Sequence, residues 1–88
     1  MKRAGPIELQ LFTRPGCHLC EEMKAALLDA ARGLEIQLRE IDISEDPELE
    51  ARYGNDIPVL FVNGSKAFEH RATVGELRAR LRQGGQGA

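Results

Sequence analysis

The chain has 88 residues, 42% of them hydrophobic and 30% charged, with a formal net charge of −2; this describes one small domain near the size where a single core becomes marginal. Three Phe, one Tyr and no Trp leave the core mainly to Leu, Ile, Val and Ala. The charge balance gives no basis for nucleic-acid binding as the main task, and no apolar run is long enough to span a membrane.

A single domain over residues 1–88 is expected, with an ordered core of about residues 7–82 and a flexible tail from 83 to 88 that lacks large apolar side chains. Residues 35–56 carry eight acids against two arginines, and residues 66–88 five basic residues against two acids. That asymmetry is read as a solvated surface. Met1-Lys2-Arg3-Ala4-Gly5-Pro6 has two positive charges but not the apolar stretch of a secretory signal. A cytoplasmic location follows as the expectation, and with it a compartment where a purely structural disulfide is uncommon.

Ile7, Leu9 and Leu11 alternate with Glu8 and Gln10 and predict a first strand, which the Arg14-Pro15-Gly16 breaker ends. From His18 to about Arg32 the period changes. Leu19, Met23, Ala26, Leu27 and Ala30 recur at helical spacing, and Gly33 is placed to stop the run. A second strand is expected from about Glu35 to Ile41. Its phase slips between Ile36 and Leu38 on one side and Ile41 and Ile43 on the other, which means a bulge or apolar cover on both faces.

Asp46-Pro47 reads as an N-cap followed by proline at the first helical position. The short helix that follows has Leu49 and Tyr53 on its inner face and stops at Gly54-Asn55. Pro58-Val59-Leu60-Phe61-Val62 is a continuous apolar run, as in a central strand covered on both sides. Asn63-Gly64 predicts a tight hairpin into a return strand from Ser65 or Lys66 to Glu69. Thr73 and Glu76 form a capping box for a last helix with Val74, Leu77 and Leu81 inward. The order is β-α-β-α-β-β-α: an α/β fold with a four-stranded mixed sheet and helices on both faces.

The chemistry gathers in Thr13-Arg14-Pro15-Gly16-Cys17-His18-Leu19-Cys20, which holds both cysteines of the chain. Cys17 falls at the start of the helix and Cys20 one turn on, so their sulfurs can meet. Unpaired N–H groups at a helix start favour a thiolate, the reactive form of cysteine. Cys17 is the better nucleophile on this placement and Cys20 the resolving thiol. Arg14 and a protonated His18 add positive potential there, while Glu21 opposes it. Two other readings use the same residues. A closed zinc site needs four ligands and would require both histidines, yet His18 projects away from the cysteines and His70 lies at a distant strand end, where it reads as a surface residue. Two inert core cysteines fit poorly with a Pro-Gly breaker and a helix start. At Ile57-Pro58, a proline heading a central strand is awkward; the residues alone slightly favour the trans isomer.

Cys-x-x-Cys on a strand-to-helix turn, followed by an acidic strand end, an Asp-Pro helix, Ile57-Pro58-Val59 and an Asn-Gly hairpin, resembles the thioredoxin superfamily. It is most similar to the small glutaredoxin-like proteins, over about residues 7–82. The resemblance implies a cis Pro58 facing the cysteines, and an Ile57 backbone that pairs with substrate. It also implies that Cys17 attacks and Cys20 resolves. Arg14, His18, Ile57 and Pro58 are then the expected substrate-binding residues, with no metal ligand. Two departures stand out: His18-Leu19 replaces the Pro-Tyr of typical glutaredoxins, and Glu69-His70-Arg71-Ala72-Thr73-Val74 lacks their Gly-Gly…Asp stretch. The second counts against bound glutathione, so no cofactor is expected beyond the Cys17–Cys20 disulfide, although Arg71 and the Thr73 helix start offer another anion site.

The expected function is dithiol–disulfide exchange on protein or small-molecule disulfides. The partners are a disulfide substrate and a thiol reductant, either glutathione or a thioredoxin-reductase-type system, with no nucleic acid, no membrane and a monomeric chain. The alternatives are a glutathione-assisted iron–sulfur or metal carrier and a non-catalytic binding module of the same fold.

Overall fold

A computed structural model describes residues 5–84. The elements run β1 (Ile7–Thr13), α1 (His18–Ala30), β2 (Ile36–Asp42), a 3₁₀ turn (Ile43–Glu45), α2 (Pro47–Tyr53), β3 (Val59–Val62), β4 (Ser65–Glu69) and α3 (Val74–Gly84). The last helix continues two residues past the expected ordered core, and the rest of the expected tail lies outside the described residues. So does Met1-Lys2-Arg3-Ala4. No helix of the described residues is long and apolar enough to cross a membrane.

The local signals act where the sequence put them. The Asp46 carboxylate accepts the Glu48 N–H at 2.9 Å, with Pro47 at the head of α2. Asn63 and Gly64 both take positive φ, 48° and 86°, the backbone that a two-residue hairpin of this twist requires. Asn63 also exchanges hydrogen bonds with Glu8 at 2.8 and 2.9 Å, fastening the hairpin to β1. α1 stops at Ala30, shorter than expected, because the chain turns through residues 31–34 and Gly33 adopts φ 83°, a conformation glycine takes without steric cost.

The capping box of α3 is complete: Glu76 N–H donates to Thr73 Oγ1 and Thr73 N–H donates to Glu76 Oε1, each at 3.0 Å. Thr73→Ala removes one partner of this pair. It is expected to cost about 1 kcal/mol, read as a lower urea midpoint at unchanged slope.

The sheet order is β2-β1-β3-β4, with β1–β2 parallel and the other pairs antiparallel. Period-2 alternation divides the core between its two faces. Ile7, Leu9 and Leu11 of β1 and Leu60 and Val62 of β3 pack under α1 and α3, against Met23, Leu27, Ala30, Leu77 and Leu81. Phe12, Val59 and Phe61 point to the other face, where Leu49 and Tyr53 of α2 cover them together with Ile41 and Ile43. Helices therefore lie on both faces.

β2 begins and ends one residue later than expected. Its register with β1 is unbroken from Ile7–Ile36 to Thr13–Asp42. The phase slip is thus apolar cover on both faces and not a bulge: Ile36 and Leu38 join the first cluster, Ile41 the second. The irregularity sits instead in β4, where Ala67 is the extra residue opposite the Leu60–Phe61 step, so that Ala67 and Phe68 both reach the first cluster.

Candidate active site

β1 delivers the chain to the Arg14-Pro15-Gly16 turn, and Gly16 at φ 78° sets the entry into α1. Cys17 is the N-cap of that helix, with extended backbone, and its sulfur accepts the Cys20 N–H at 3.2 Å. A sulfur here takes the part that a Ser or Asp oxygen usually plays, facing amides with no intrahelical partner. Such N–H groups, with the helix dipole behind them, favour negative charge on the atom they point at. Cys17 and Cys20 are joined as a disulfide with Cα atoms 5.2 Å apart, so the structure is the oxidised form. Cys17 is partly exposed; Cys20 is 4% exposed. Cys17 is therefore the more accessible of the two to outside reactants, and Cys20 is held inside.

The peptide bond between Ile57 and Pro58 is cis, the isomer that the resemblance implies rather than the one the residues alone slightly favour. Ile57 packs in the same cluster as Cys17, Cys20, Phe12, Val59 and Tyr53, so the two segments expected to form the site converge. The Ile57 N–H is given to the Tyr53 carbonyl at 3.1 Å, and the Pro58 carbonyl accepts His70 N–H at 2.8 Å. Three of the four aromatic side chains gather beneath them: the Phe12 ring meets Tyr53 edge-on at 4.7 Å and stacks on Phe61 at 5.3 Å. This apolar floor packs beneath the buried Cys20 sulfur and fixes the helix-to-loop junction.

Arg14 is committed to α2. Its Nη2 pairs with Glu50 Oε1, its Nε donates to Glu50 Oε2 at 3.2 Å, and Nη2 reaches the Gly54 carbonyl at 3.4 Å. The Glu50 hydrogen bond holds the guanidinium above its ordinary pKa, outweighing its partial desolvation. A Cβ on Gly54 would lie 2.5 Å from the Glu50 carbonyl oxygen and 2.7 Å from Oε1, so glycine is what leaves room for this pair. Arg14 thereby ties the turn before Cys17 to the helix before Ile57, with its charge largely compensated.

His18 is carried outward, its side chain 87% exposed and its Nε2 3.0 Å from Glu22 on the next turn. It is not part of the cluster around the cysteines. Glu21 lies instead beside an open depression of about 250 Å³ behind the disulfide, where Cys20, Arg14 and the Lys24–Glu40 ion pair also line the wall. The two cysteines and two histidines do not converge as one metal-ligand set among the described residues.

On the far side of α1, Leu19, Met23, Arg71 and Thr73 line a second depression of about 260 Å³. The Glu76 carboxylate already occupies the N-terminus of α3 there, which leaves less attraction for an outside anion than the sequence suggests. Glu50 and Tyr53 are the site residues that sequence reading missed. Tyr53 was visible only as an inward helical position, and nothing local to Glu50 marks it as the partner of Arg14, 36 residues away.

The family model "Glutaredoxin-like domain" matches residues 8–82. A curated relative, the Glutaredoxin-like protein YDR286C homolog of Dictyostelium discoideum, is 31% identical over 71 residues, or 74% of this chain and 66% of that protein. Among solved structures, protein XcR50 from X. campestris is 31% identical with a TM-score of 0.71, over 85% of this chain and 96% of that one. Protein Ne2328 from Nitrosomonas europaea is 29% identical with a TM-score of 0.75, over 92% and 98%. A thioredoxin variant from Halobacterium salinarum, 21% identical with a TM-score of 0.63 over 91% and 75%, shares the fold. The thioredoxin-like fold and the Cys17–Cys20 pair of this chain fit a redox role, and the chain belongs to the glutaredoxin-like family.

Proposed function

We propose that this protein is a cytoplasmic dithiol–disulfide oxidoreductase acting on protein or small-molecule disulfides. The observation that carries the reading is Cys17, partly exposed at the head of α1, with its sulfur accepting the Cys20 N–H at 3.2 Å. In the reduced protein the Cys17 thiolate attacks one sulfur of the substrate disulfide; the S–S bond breaks and the other substrate sulfur leaves as a thiolate. A mixed disulfide now joins Cys17 to the substrate. Cys20, deprotonated, attacks the Cys17 sulfur, releases the second substrate thiol and closes the Cys17–Cys20 disulfide. Two electrons have moved from the dithiol to the substrate. A thiol reductant, glutathione or a thioredoxin-reductase-type system, returns them.

Ile57 supports this reading by packing in one cluster with both cysteines, and Arg14 supports it by bracing the turn that holds Cys17. His18, fully outward, is proposed to contact the substrate only at its rim. The test is to measure the reduction potential of the pair by equilibration with a thiol buffer, and the Cys17 pKa by thiolate absorbance. A potential within the span of known thiol oxidoreductases, about −270 to −120 mV, and a thiol titrating below the ordinary value of about 8.5 are expected. An ordinary thiol with a potential well below that span would instead describe a binding module with a static disulfide.

A further inference from the structure

One group of side chains beside the redox site has no part in disulfide exchange. Asp56, in the loop ahead of Ile57–Pro58, and Glu69 and His70, at the end of β4, bring one potential ligand atom each to within 4.8 Å of one another. They come from two chain segments that backbone pairing holds together, through Val59 opposite Glu69 and the His70 N–H on the Pro58 carbonyl at 2.8 Å. Asp56 and Glu69 are half-buried and His70 is exposed, so the set is open to an ion from solvent.

The donor chemistry selects the class of ion. An imidazole nitrogen with two carboxylate oxygens is a mixed set that suits zinc and its neighbours, whereas magnesium and calcium favour oxygen alone. Zinc bonds of about 2.0–2.2 Å require the three atoms to close in somewhat, a movement the exposed His70 ring can make. Three protein ligands leave a fourth position for water. The resident cation is Lys66, whose ammonium pairs with Glu69. Lys66 is half-exposed and flexible, so it can give way to an ion.

We propose that Asp56, Glu69 and His70 form a binding site for a zinc-class divalent cation, separate from the cysteines, that clips the loop ahead of Ile57–Pro58 to the end of β4. The test titrates Zn²⁺ into tag-free, full-length oxidised protein, in which the Cys17–Cys20 disulfide offers no thiolate, and follows heat and the histidine ring resonances. One saturable equivalent is expected, shifting the His70 ring and not that of His18. His70→Ala and Asp56→Asn should each weaken affinity by at least the roughly 10-fold that loss of even an outer partner costs a metal site. Lys66→Gln, which removes the competing ammonium, should tighten it. No saturable binding, or a wild-type titration that leaves the His70 ring unmoved, would overturn the proposal whether or not the variants fold. Equal affinity in folded His70→Ala would do the same.

Discussion

Cys17→Ser is expected to reduce disulfide reduction by this protein to the rate of the added reductant alone, whereas Cys20→Ser is expected to retain attack and stall at the mixed disulfide. The asymmetry has a structural cause. Cys17 is partly exposed and caps α1, where backbone N–H groups favour its thiolate. Cys20 is 4% exposed, one turn inside the same helix, so an external disulfide meets Cys17 first. A serine hydroxyl at position 17 is a far weaker nucleophile at neutral pH, and the buried thiol cannot take its place. With serine at position 20 the first exchange still occurs, but no second thiol lies behind Cys17 to release the substrate. Turnover with a small disulfide and intact-mass detection of the adduct check both outcomes. Full activity in Cys17→Ser would remove the mechanism; an adduct that accumulates on Cys20 in that variant would reverse the two roles.

The second large effect is on stability. Leu60 sits at the centre of β3, opposite Leu11 on one side and Phe68 on the other, with its side chain fully buried. It packs in the cluster roofed by α1 and α3. Leu60→Ala leaves a cavity between sheet and helices that neighbours on two paired strands cannot easily fill. The expected cost is about 2–5 kcal/mol, a large part of the roughly 5–15 kcal/mol that holds a domain folded. For a chain of this size each kcal/mol lowers the melting temperature by about 4–8 °C, so a fall of roughly 10 °C or more should appear in a circular-dichroism melt. Leu28, 46% exposed on α1, is the control. Leu28→Ala changes little water-excluded surface and is expected to stay within about 0.5 kcal/mol of the parent. Similar losses at the two positions would contradict the packing described.

The glycines and caps explain why so much of the fold could be read early. Asp46 with Glu48, Thr73 with Glu76 and Cys17 with Cys20 are each satisfied within a few residues, so short stretches of sequence contain both partners. The same is true of Asn63-Gly64, whose backbone conformation is a property of the pair itself. Alternation in β1 and helical spacing in α1 and α3 fixed which side chains turn inward. Together these determined the seven main elements, the presence of a mixed sheet and the place of both cysteines at a helix start.

What lay between distant parts of the chain was decided only in three dimensions. The antiparallel pairing of β1 with β3 in the order β2-β1-β3-β4 carries Ile57 to the cysteines. Phe12 is far in the chain from Tyr53 and Phe61, and only this pairing collects the three rings into one floor. Arg14 reads from sequence as a free positive charge beside the thiol; across 36 residues it finds Glu50 and becomes a brace instead. His70 reads as a lone surface residue until β4 returns it beside Asp56. The division has one physical reason. Caps, turns and periodicity depend on neighbours whose separation the covalent chain fixes, while charge compensation and convergent donors depend on which surfaces the hydrophobic core brings together. The Cys-x-x-Cys at a helix start came from the first kind of information, and its surroundings, which set what it reacts with, came from the second.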